Sequence, residues 1–151
     1  MASDPQSIRR RIQDRMEAAA KRVREDPQDP IGHWMLGITY VSTSHWMKDP
    51  DQSIACFKLA WDAFNAAIAV SPPINQFADD WTPTVAAMVE RAKAAYSAGD
   101  KEAAGRFSRD LLDAIAGLRE DGVGNAVFYG NHLLGLIALE QGRIEIGRAH
   151  V

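Results

Sequence analysis

Apolar residues recur every three or four positions along most of this chain, and proline-containing polar stretches interrupt the pattern. Ile8, Ile12, Met16, Ala19 and Val23 fall at helical spacing. They predict a helix over 4–25, with Asp4 as N-cap and Pro5 in its first turn. Asp26-Pro27-Gln28-Asp29-Pro30 is a break and a restart, because a residue before proline is pushed out of helical geometry. Asp29-Pro30 opens a second helix reaching about Trp46. Asp49-Pro50 opens a third over about 50–70, where Ile54, Phe57, Trp61, Phe64 and Ile68 form one apolar stripe. Burying each such side chain is worth roughly 1.5–3 kcal/mol.

Ser71 to Asp80 is the longest irregular stretch, and Thr82-Pro83 ends it with Thr82 as cap. Val85, Met88, Val89, Ala92 and Tyr96 line the fourth helix, and Gly99-Asp100 turns into the fifth. The fifth uses Ala103, Phe107, Leu111, Ala114, Ile115 and Leu118. Asp121-Gly122-Val123-Gly124 reads as a turn with Asn125 as the next cap. The sixth helix, about 126–141, carries Leu133, Leu134, Leu136, Ile137, Ala138 and Leu139 and has little polar side. Such a helix is expected to be central and covered from several directions, with Gly142 ending it. No sustained period-two alternation appears, so the fold class is all-α.

The 151 residues suit one helical domain spanning 1–151. The net charge of −3 argues against a nucleic-acid partner. Charge is uneven: residues 1–26 hold seven Lys/Arg against five Asp/Glu, and Arg9, Arg10 and Arg11 are consecutive. A solvated face with intrahelical ion pairs accounts for this surplus better than a membrane contact. No apolar run reads as long enough to span a bilayer, and the N-terminus lacks the apolar core of a signal peptide. The single cysteine, Cys56, allows no intramolecular disulfide. These features together lead us to expect a cytoplasmic protein of bacterial type.

Residues 30–72 resemble a tetratricopeptide repeat. His33 stands where that family usually has tryptophan, and Leu36, Gly37 and Tyr40 follow at matching spacing. Ala60, Phe64, Ala67 and Pro72 match the second helix. Relative to the roughly 34-residue repeat, about 11 extra residues separate the two halves. Residues 82–120 look like a second copy, through Ala92, Gly99-Asp100 and Ala104. Residues 125–151 look like a third copy cut short, through Leu134, Gly135, Ala138 and Gly142. The resemblance implies antiparallel hairpins stacked as a short right-handed array behind the N-terminal helix 4–25. A generic α-helical bundle is the alternative architecture.

The resemblance also implies a concave groove lined by the first helix of each pair. Carried over residue by residue, its positions are Trp34, Ile38, Val41 and Ser42, then Val89, Lys93, Tyr96 and Ser97, then Tyr129, His132, Leu136 and Glu140. This is a mixed aromatic and apolar groove. Family members that clamp a terminal carboxylate use several Lys, Arg and Asn there, whereas only Lys93 qualifies here.

Candidate chemistry is sparse. His33, His45, His132 and His150 form no metal-binding spacing, and neither a phosphate loop nor a Cys-x-x-Cys pair is present. His33 and His132 are expected to be partly buried packing residues. Ser42, Thr43, Ser44 and His45 cluster in sequence, which does not make a nucleophile and base face each other. Asp79-Asp80 reads as loop solubility and capping. No cofactor is expected. The leading expectation is a non-catalytic scaffold that binds a protein or peptide, with self-association into a homodimer through the C-terminal helices. The alternative is a small-ligand-binding protein or enzyme with a pocket among His33, Trp34, Tyr40, Trp46 and Trp61.

Overall fold

The computed structural model describes residues 4–149, with side chains described to residue 142. Six helices follow in order: α1 Pro5–Glu25, α2 Pro30–Trp46, α3 Pro50–Val70, α4 Pro83–Ser97, α5 Lys101–Ile115 and α6 Glu120–Ala149. No strand occurs among the described residues, and the fold is all-α. The expected punctuation sets most boundaries. Carboxylates of Asp4, Asp29, Asp49 and Asp100 accept the N–H of Gln6, Ile31, Asp51 and Ala103. Each satisfies one of the amide groups that a helix start leaves orphaned. Gly99 takes a φ of 82°, as the turn into α5 requires.

Packing is mainly between successive helices. A second set of contacts joins α2 to α4 and α4 to α6, so the even-numbered helices form an inner row. The tightest approach is between α2 and α3. A Cβ placed on Gly37 would stand 2.5 Å from the Phe64 ring, so only glycine admits that ring at this depth. Phe64 is fully buried there, beside Ala60 and Ala94. A second cluster joins Ala92, Ala95, Phe107, Leu133 and Ile137, and a third joins Val85, Met88, Leu111, Ile115, Val123 and Ala126.

Several expectations are corrected. The central helix is α4, not α6: α4 touches α2, α3, α5 and α6 and buries seven of its residues. Its alanines allow neighbours on several sides, which a count of large apolar residues does not register. On α6, by contrast, Leu139 and Phe128 remain more than half exposed. Gly142 does not end α6, which continues to Ala149. α5 stops at Ile115, where Gly117 takes a φ of 83°, so Leu118 lies outside it. α6 begins at Glu120 and is kinked at Val123, whose φ of −129° and ψ of 28° are not helical. Finally, α3 is long and apolar enough to cross a membrane by length and composition, with a mean hydropathy of 1.3 over its most apolar stretch. In this fold it packs between α2 and α4.

Candidate functional site

The inner row of helices carries a groove. One part is a cavity of about 280 Å³ between Trp34 of α2, Val89, Glu90 and Lys93 of α4, and Tyr129 of α6. The other is a cavity of about 230 Å³ bounded by Val41 and His45 of α2, Phe57 of α3 and Ser97 of α4. Glu90 and Lys93 line both, so the two cavities meet along α4. Lys93 Nζ lies 3.5 Å from Glu90 Oε1 and 4.6 Å above the Tyr129 ring. Lys93, the one Lys or Arg among the described residues of the groove, is therefore paired with a carboxylate one turn away and rests on an aromatic face.

Trp81 forms the rim and is 85% exposed. Its loop is pinned. Asp79 Oδ1 accepts the Trp81 N–H at 2.9 Å, and Thr82 Oγ1 accepts the Asp79 N–H at 3.0 Å. Thr82 therefore turns back into the loop and makes no side-chain cap on α4. Asp80 reaches across the chain: its carboxylate accepts the N–H of Asn125 at 3.2 Å and of Ala126 at 3.0 Å. The Asp80 N–H donates to Gly122 O at 2.9 Å. The helical run after the Val123 kink is thus capped by a residue more than 40 positions earlier, not by Asn125. Asp80 also lies among the groove residues, beside Trp81.

The residues expected in the groove divide. Trp34, Val41, Lys93 and Tyr129 meet there, together with Val89 and Ser97. Ile38 packs inward on the cluster of Ala60, Phe64 and Ala94. Tyr96 leaves the groove: its ring packs on the cluster around Phe107, and its hydroxyl donates to Glu140 Oε1 at 2.7 Å. That bond holds the phenol above its ordinary value, and Lys101 pairs with the same carboxylate. His132 is exposed, contrary to the packing role expected of it, and stacks on Phe128 with centroids 5.3 Å apart. Leu136 is half-buried and lines neither cavity. His33 is half-buried as expected, its Nε2 2.8 Å from Pro27 O.

The five residues of the small-ligand alternative do not share one cavity. Trp34 lines the groove, Trp46 lines a different cavity near α1, and Trp61 packs edge-on against Phe107 at 5.1 Å. The Ser/Thr cluster at the end of α2 is also accounted for. Ser42, Thr43 and Ser44 donate to the carbonyls of Ile38, Thr39 and Tyr40 one turn back, and His45 packs edge-on against Phe57. No group of three or more His, Cys, Asp or Glu side chains suited to a metal ion occurs among the described residues.

Two features were not found from the sequence. Trp81 sits in an irregular stretch, and the only signal was a tryptophan directly before the Thr82-Pro83 restart. Arg91 is the other. Its guanidinium donates to Asn65 Oδ1 at 2.9 Å, lies 4.1 Å over the Phe107 ring and approaches Asp110 at 3.9 Å. Burial lowers its pKa, while Asp110 opposes that shift. It ties α3, α4 and α5 together. Comparisons with known proteins return no match to a family model, to a characterised protein or to a solved structure.

Proposed function

We propose that this chain is a short tetratricopeptide-like array that binds an uncharged, apolar segment of another protein in the groove of α2, α4 and α6. The observation that carries this reading is the convergence of Trp34, Val41, Lys93 and Tyr129, from three helices, on one groove. The inner row of even-numbered helices supports it, because a concave face in such arrays is built from alternate helices. Aromatic walls supply large contact area at low conformational cost, and the rim of Trp81 adds more. The Lys93–Glu90 pair is internally neutral and the Asp80 carboxylate is taken up by the Asn125 and Ala126 amides, so an acidic or basic ligand gains little there.

A panel of displayed random peptides tests this. Selection should enrich neutral sequences with aromatic or branched apolar residues. Trp81→Ala and Lys93→Glu should each weaken binding at least tenfold, as a central aromatic contact or a reversed charge does. No enrichment, or enriched peptides that bind both variants unchanged, would refute the reading. A second reading, self-association, is favoured by the exposed Phe128 and Leu139 on α6. Light scattering across a dilution series separates it from peptide binding.

A further inference from the structure

A larger cavity, with none of the groove residues in its lining, lies beside the C-terminal end of α2 at Thr43, Trp46 and Met47. It encloses about 630 Å³ between α1 and the α2–α3 turn, within the size range of small-molecule sites. Local packing explains its presence. α1 docks on α2 through its C-terminal half, where Ala19 is fully buried and Gly32 admits Arg22 and Val23 closely. The Arg22–Asp29 ion pair, at 2.6 Å, fixes that end. Nearer the start of α1, Ile12 and Met16 face Trp46 and Met47 across open space. Trp46 and Met47 are 38% and 37% exposed, so this apolar wall is open to solvent.

Two cations, Arg9 and Lys48, stand at the same cavity. Neither forms an ion pair among the described residues, a state shared with other surface cations such as Arg10, Arg15 and Lys58; what sets Arg9 and Lys48 apart is their place at an apolar cavity. The one carboxylate of the lining, Asp49, is held by the Asp51 N–H at 3.0 Å as the cap of α3. An apolar interior with unpaired positive charge calls for a ligand with an apolar body and an anionic head. Methionine walls adapt to a flexible chain better than to a rigid ring. A second copy is a poor occupant, since it brings the same arginine-rich α1 against itself.

We infer that this cleft binds a single-chain carboxylate amphiphile, a free fatty acid, with its chain among Ile12, Met16, Trp46 and Met47 and its head between Arg9 and Lys48. The site is separate from the peptide groove, and either reading stands if the other fails.

The test uses the whole protein and dodecanoate below its micelle concentration, followed by calorimetry and tryptophan fluorescence. We expect saturable one-to-one binding and a fluorescence change that is lost in Trp46→Phe. Dodecyltrimethylammonium, with the same chain and opposite head, should bind at least tenfold more weakly to the unmodified protein. Arg9→Glu combined with Lys48→Glu should weaken dodecanoate at least tenfold with thermal unfolding unchanged, because both side chains are exposed. Equal binding of the two amphiphiles, several molecules per chain, or an unaffected double variant would overturn the proposal. So would binding to anionic phospholipid vesicles without binding to monomeric dodecanoate.

Discussion

Gly37→Ala tests the packing that joins α2 to α3. The added Cβ would fall 2.5, 2.7 and 2.7 Å from three carbons of the Phe64 ring, inside any tolerated contact. Phe64 is fully buried, so the ring has no solvent to move into. Overpacking of this kind costs about 1–3 kcal/mol, and three simultaneous clashes put it near the upper end. Helix preference acts the other way, favouring alanine over glycine by about 0.8–1 kcal/mol. The difference is a net loss of about 2 kcal/mol. With a urea dependence of about 1–3 kcal/mol per molar, the unfolding midpoint should fall by about 1 M. Gly135→Ala is the internal control. Nothing lies within 4 Å of its added Cβ, so only the helix term remains and stability should rise by about 1 kcal/mol. If the two substitutions shift the midpoint in the same direction, the close-approach argument is wrong.

Two further outcomes follow from single hydrogen bonds. Asp80→Ala should lower stability by about 1 kcal/mol, as loss of a helix cap does. Hydrogen exchange at the Asn125 and Ala126 amides should accelerate, and unchanged protection there would refute the cross-chain cap. Tyr96→Phe should be less stable than the parent near neutral pH. The Glu140 bond raises the folded phenol above its unfolded value, so its contribution is complete below the ordinary tyrosine range and is lost as pH rises through the folded value. The gap between variant and parent should therefore close in alkali, and a gap independent of pH would remove the bond from the account.

Helix starts were legible because their chemistry is local. Asp4-Pro5, Asp29-Pro30 and Asp49-Pro50 place an acceptor and a preset φ side by side, and α1, α2 and α3 begin there. The region before α6 was not legible for the opposite reason. Its cap comes from Asp80, far away in sequence, while Gly122 and Gly124 read as a turn on glycine content alone. The groove was half legible. Of the residues expected there, Trp34, Val41, Lys93 and Tyr129 line the two adjoining cavities. Tyr96 and His132 do not, because Glu140 takes up the Tyr96 hydroxyl and His132 stacks on Phe128, partners that helical spacing does not disclose. Trp81 lies in the irregular stretch before α4, so no periodic argument reaches it.

The bracing of the Trp81 loop has a kinetic consequence. A mobile rim must be ordered as its ligand arrives, and that entropy is subtracted from affinity. Here the bonds of Asp79 and Asp80 fix the loop backbone against α6 in the free protein. For the proposed peptide, encounter then involves no slow loop closure, and differences between good and poor sequences should lie in how long each stays rather than how fast it lands.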